Sequence, residues 1–227
     1  MKDAIAFGSK QSLRERQTLE GVVDMACGSC RSSSREKLRR SPPVGPGSGC
    51  RIRVAVEKVA PSLNSAVMTD DPHQFRPGDR PTPFSADEIR QGCPPGRTVR
   101  ARVVRAGQDP YVRVTRFLAG DEDGADQESW NETPDGIRLT ETETGHSIWR
   151  ELQGHASMPA DRTTVIEEEI EIPAGRFACL RYTRTDEDRV GIFWFAKSAP
   201  GMPLKFEQMV DGKTVFSSTT LSDVQPA

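Results

Sequence analysis

The sequence lacks the run of about 18 apolar residues that a membrane-crossing helix needs, so no helical span is expected. It also lacks the apolar core of a secretory signal. Its longest early apolar stretch is residues 4–7, whereas such a core takes about 7–15 residues. On these two absences the chain reads as cytoplasmic. Cysteine is scarce and odd in number: Cys27, Cys30, Cys50, Cys93 and Cys179. A disulfide framework favours an even count in a short secreted chain, so free thiols are expected. There is no Gly-x-Ser-x-Gly elbow, no His-Glu-x-x-His and no Walker loop. With none of these, an enzyme is not expected, a hydrolase is a remote third reading, and no cofactor or metal is implied.

The charge is divided unevenly. Residues 1–67 hold 12 basic and 6 acidic side chains, and the remainder holds 19 and 27, a net charge of −8. A surplus of acid argues against nucleic-acid binding that depends on neutralising phosphates. Residues 1–67 are rich in Ser, Arg, Pro and Gly, with too little apolar surface to offset chain entropy. They are expected to be disordered. Met68-Thr69-Asp70-Asp71-Pro72 reads like an ordinary start, which makes residues 1–67 a candidate mis-assigned start. A basic tail is the alternative. Cys27-Gly28-Ser29-Cys30 lacks the second ligand pair of a structural zinc site and reads as chance. Residues 68–84 are expected as a flexible leader, and residues 85–227 as a single β-rich domain.

The folded part opens with Ser85-Ala86-Asp87-Glu88, a capping box, followed by a short helix that Gly92–Gly96 ends. The period then becomes two, as in strands. Val99, Ala101 and Val103 alternate with arginines, as do Val112 and Val114. Residues 126–133 and a run led by Ile137 and Leu139 follow. Residues 146–157 break the pattern, with Ile148, Trp149 and Leu152 at helical spacing. Runs at 165–172, 177–183, 190–196, 203–210 and 214–221 complete the chain. The last two face each other across Asp211-Gly212, a preferred two-residue hairpin turn. The expected fold is mainly β (α+β): a strongly curved antiparallel sheet or half-barrel of about eight strands, with one or two short helices. A closed barrel or sandwich is the second choice.

Two stretches carry a resemblance: Pro173-Ala174-Gly175-Arg176-Phe177-Ala178-Cys179, then Trp194-Phe195-Ala196 with Pro200-Gly201-Met202-Pro203-Leu204-Lys205-Phe206-Glu207. Over residues 165–222 the chain resembles an uncharacterised bacterial β-rich family, a domain of unknown function with the signature PAGxFxC…WFA…PGxPxxFE. The resemblance implies a fold similar to lipoprotein-carrier half-barrels and no particular activity. Its signature residues also have a packing role, with Trp194 and Phe206 as cross-strand neighbours.

Five residues stand out as candidates for a ligand site: Glu168, Trp149, His155, Trp194 and Phe206. In Val165–Ile172, strand parity puts Glu168 on one face with Ile166, Ile170 and Ile172. A carboxylate there must be paired, guard an edge, or mark the polar end of a cavity. Glu151 and His155 lie four apart, on one face of a helix, as an oriented imidazole would. The acidic zone 121–143 lacks the ligand spacing of a calcium loop. The leading functional expectation is a non-catalytic module binding an apolar small molecule or lipid in a curled antiparallel sheet. The alternative is a protein-interaction or accessory domain.

Overall fold

The structure is a computed structural model that describes residues 71–226. The expectations for residues 1–67, the Cys27–Cys30 pair among them, lie outside the described residues.

Helix α1 (Ala86–Gly92) starts where the capping box places it. The Glu88 backbone N–H donates to Ser85 Oγ, and the Ser85 N–H donates to Glu88 Oε2 at 2.8 Å. Both satisfy donors that a helix start leaves open. Helix α2 (Trp149–His155) has no side-chain cap. The Trp149 N–H is instead taken by the carbonyl of Asp123 at 3.0 Å.

Eleven strands follow in chain order: β1 (Asp79–Arg80), β2 (Thr98–Arg105), β3 (Tyr111–Gly120), β4 (Gly124–Glu132), β5 (Glu143–Ile148), β6 (Met158–Pro159), β7 (Thr163–Ile172), β8 (Gly175–Thr185), β9 (Arg189–Ala196), β10 (Lys205–Val210) and β11 (Lys213–Val224). Nine form one antiparallel sheet in the order β5-β4-β3-β2-β11-β10-β9-β8-β7, and β1 pairs with β6. Two meanders, β2 to β5 and β7 to β11, are thus joined where β11 pairs with β2. The β10–β11 turn has Asp211 at φ 49° and Gly212 at φ 72°. Two successive positive φ values are what the type I′ turn requires.

The sheet is mainly β and antiparallel, as expected, with nine strands in place of about eight. The run led by Ile137 and Leu139 is not a strand. Arg138 alone bridges to Glu132, and both apolar side chains stay exposed. The pairing falls later, on β5, within a stretch read as ending one run and starting a crossing segment. β5 (Glu-Thr-Gly-His-Ser-Ile) has no apolar alternation to announce it, and backbone pairing to β4 alone defines it.

Alternate residues of one strand enter different clusters. On β9, Phe193 and Phe195 pack on the helix side, with Tyr182, Phe117, Ile89 and Trp149. Trp194 and Ala196 pack on the opposite side with Cys179, Leu204, Ile170 and Ile172. Strand β9 is buried on both faces, which is why it reads as a continuous apolar run.

The far end of the sheet is rolled. β7 comes into contact with β11, four places away in strand order. In a flat sheet four spacings would separate them by roughly 19 Å. No ladder joins the two strands among the described residues, so the roll stays open.

Residues 71–84, expected within a flexible leader, lie against the domain. The buried Gln153 side chain donates to the Pro72 carbonyl at 2.7 Å and to Thr82 Oγ1 at 3.0 Å, and accepts from the Ala86 N–H at 3.2 Å. Thr82 and Phe84 are buried.

Candidate functional site

The roll leaves a groove of about 290 Å³ between the end of the β7–β8 hairpin and the β10–β11 ladder. Ile170, Ile172 and Pro173 form one wall, Lys205 and Thr219 the other, with Trp194 and Glu168 between them. Cross-strand register brings these side chains together: Lys205 lies opposite both Trp194 and Thr219, and Arg181 opposite Trp194.

Glu168 is neither free nor buried alone. It accepts from Arg181 Nη1 at 2.9 Å and from the Trp194 indole N–H, with its side chain 27% exposed. That pairing offsets the cost of placing a carboxylate among isoleucines. Lys205 Nζ sits 4.5 Å from the centre of the Trp194 ring, a cation–π contact, and 2.9 Å from Glu207. Beneath them Cys179 is fully buried opposite Glu168. Burial, and then the nearby Glu168 charge, push its thiol up in pKa, so it stays protonated and is a poor nucleophile.

Of the five sequence candidates, the structure brings Glu168 and Trp194 together and separates the other three. Trp149 is a core residue. It stacks on Phe117 with centroids 6.4 Å apart, and its indole N–H donates to the Asp121 carbonyl at 3.0 Å. Phe206 stacks on Phe193 at 4.5 Å, on the face opposite Trp194. His155 is half-buried at the end of α2. Burial pulls its pKa down while the Glu151 charge opposes it, and among the described residues no hydrogen bond joins the two. A base oriented by a carboxylate is therefore not assembled here. In the acidic zone, Asp121 accepts from the Gly124 and Asp123 N–H groups, which hold its carboxyl below the ordinary value. No group of three or more potential metal ligands occurs among the described residues. No helix among them is long and apolar enough to cross a membrane.

Sequence reading missed Arg181, Lys205 and Thr219, because each sits in an unremarkable polar position of its own strand. It also missed Arg97, just ahead of β2. That guanidinium is buried and makes a two-point contact with Asp223, Nε to Oδ1 at 2.9 Å and Nη2 to Oδ2 at 2.5 Å. Its Nη1 donates to the carbonyls of Gly92 and Pro200 and lies 3.2 Å from Cys93 Sγ. Arg97 thus ties the end of α1, the β9–β10 loop and β11 to one another. Gly92 makes this possible: a Cβ there would sit 2.5 Å from the Pro200 carbonyl oxygen.

The class defined by this geometry is an open, rolled antiparallel sheet with a helix-covered core and a polar-rimmed groove on the other face. No family model and no curated protein matches the chain. Among solved structures it is similar to the crystal structure of MucB, at 12% identity and a TM-score of 0.42, covering 63% of this chain and 58% of that one. It is similar to MucB in complex with MucA(peri) at 10% identity and a TM-score of 0.42, covering 61% and 53%. The chain spans somewhat over half the length of those structures. Values this low transfer nothing from those proteins to this chain.

Proposed function

We propose that this is a non-catalytic protein-interaction or accessory domain that engages a partner at the groove beside β7. One observation carries the reading: the helix-covered side of the sheet is filled by the protein's own side chains, from Phe84 and Ile89 across to Tyr182 and Phe195. Those side chains occupy the hollow in which the leading sequence expectation placed a lipid. The groove has a volume of about 290 Å³, just below the range for drug-sized ligands, about 300–1,000 Å³. Its mixed lining of isoleucine, tryptophan and paired charges matches the apolar centre and polar rim of an interface.

The second reading, a small apolar molecule, keeps the same groove and rests on Trp194, Ile170 and Ile172. A photo-crosslinking residue at position 172, compared in cells with one at the exposed position 137, separates the two. The interaction reading expects a discrete protein adduct from 172 that is absent from 137. Absence of any such adduct, together with an apolar molecule retained in native mass spectra, would favour the second reading.

A further inference from the structure

β7 ends the nine-stranded sheet, and among the described residues no strand pairs with its outer side. Such an edge presents a row of backbone N–H and C=O groups, a template for one more strand. Here the side chains restrict what that strand can be. Glu167, Glu169 and Glu171 project on one face, with side chains 74%, 62% and 75% exposed. On the other face lie Ile166, Glu168, Ile170 and Ile172, the last three lining the groove, which Glu171 also reaches at its end. The three carboxylates have cationic neighbours, Lys197 for Glu167 and Arg176 for the other two. Those pairs are exposed and weak, so each carboxylate can share a second cation.

A second copy of this edge is a poor partner. Antiparallel β7 against β7 would set carboxylates beside carboxylates, which is unfavourable across strands. A strand with cations at every second position meets the reverse condition. Its cations fall beside Glu167, Glu169 and Glu171. Its intervening side chains fall beside Ile166, Ile170 and Ile172, with the Glu168 carboxylate on that face already held by Arg181 and Trp194, and one can enter the groove against Trp194.

We infer that β7 is a docking edge for an extended segment of a partner protein in which cationic and aliphatic residues alternate. The inference rests on the interaction reading above and specifies the partner's chemistry. Recognition is by added-strand pairing, in which backbone hydrogen bonds give affinity and alternate side chains give selectivity.

The test titrates the full-length protein with a labelled peptide of about nine residues alternating Lys and Val. Two comparison peptides are needed: one alternating Glu and Val, and one with N-methyl groups on every second amide of the Lys-Val sequence. Binding is expected for the Lys-Val peptide, with slowed amide exchange confined to residues 163–172. N-methylation is expected to weaken it by about tenfold or more, because it removes strand hydrogen bonds and leaves charge intact. The triple change Glu167→Lys, Glu169→Lys, Glu171→Lys is expected to weaken it by a similar factor. Equal binding of the N-methylated peptide would mean charge adsorption only and would overturn the inference, as would no binding at all. Adducts from position 172 without peptide binding would overturn it too, while leaving the interaction reading in place.

Discussion

The two sides of β9 teach different lessons from the same residue type. Trp149, on the helix side, and Trp194, on the groove side, are both nearly inaccessible, at 3% and 6%. Trp149 is enclosed by helices, sheet and the β3–β4 turn, and its indole N–H meets a backbone carbonyl. Trp194 lies under the rolled hairpin, and its indole N–H meets a side-chain carboxylate that also holds Arg181. The first arrangement is a closed core. The second is a covered surface that opens directly onto a groove. Burial alone does not distinguish them; what lies beyond the side chain does.

Arg97 ties the end of α1, the β9–β10 loop and β11 together, and its removal should rank among the largest effects. Arg97→Ala would leave Asp223 and two carbonyls without their partner in a nearly inaccessible site. Breaking a buried pair in this way costs about 3–5 kcal/mol. Denaturant unfolding monitored by circular dichroism should show a loss in that range. A loss below about 1 kcal/mol, the range of exposed pairs, would mean that the clamp is not buried in solution.

The two tryptophans come next. Trp149→Ala should cost about 3–5 kcal/mol, since a cavity in an enclosed core persists. Trp194→Ala should cost less, about 2–3 kcal/mol, because the vacated space merges with the groove and only the transfer of apolar surface is lost. The same unfolding assay decides the comparison. Equal losses, or a larger one for Trp194, would show that the groove side is as closed as the helix side.

Local signals in the sequence were sufficient for most of the elements. Ser85 with Glu88 marks the start of α1, Asp211-Gly212 marks the β10–β11 turn, and period-two runs mark most strands. Parity also placed Glu168 on one face with Ile170 and Ile172. Which face the helices cover was not legible, because Ile192-Phe193-Trp194-Phe195-Ala196 is apolar on both sides and gives no preference. The contact of β7 with β11 was hidden for a related reason: the roll accumulates over five strands, and no single strand encodes it. β5 escaped notice because a polar edge strand needs only backbone pairing. Arg97 and Asp223 lie 126 residues apart, beyond any local pattern.

Glu168→Gln tests how far the groove depends on charge. The amide oxygen can keep the Trp194 indole N–H, while the amide nitrogen takes the place of the oxygen that accepts from Arg181, so the ion pair and its hydrogen bond are lost together. Both side chains are about a third exposed, so solvent screens the pair, and the loss should stay under about 1 kcal/mol. A loss of several kcal/mol would move Glu168 from the rim of an open groove into a closed core.

The smallest effect concerns pH and the helix side. Burial holds the pKa of His155 below its ordinary value, about 6.5, against the opposing charge of Glu151. The folded state therefore binds fewer protons at this site than the unfolded chain does. The stability associated with neutral His155 is present above the unfolded pKa, about 6.5, and is lost as the pH falls from there through the lower folded pKa. The informative quantity is a difference between two proteins. The urea midpoint of the wild type should fall more than that of His155→Gln between about pH 7.5 and pH 5.5. Parallel pH profiles for the two would show that the end of α2 is open to water, and the helix side would then be less closed than its tryptophan implies.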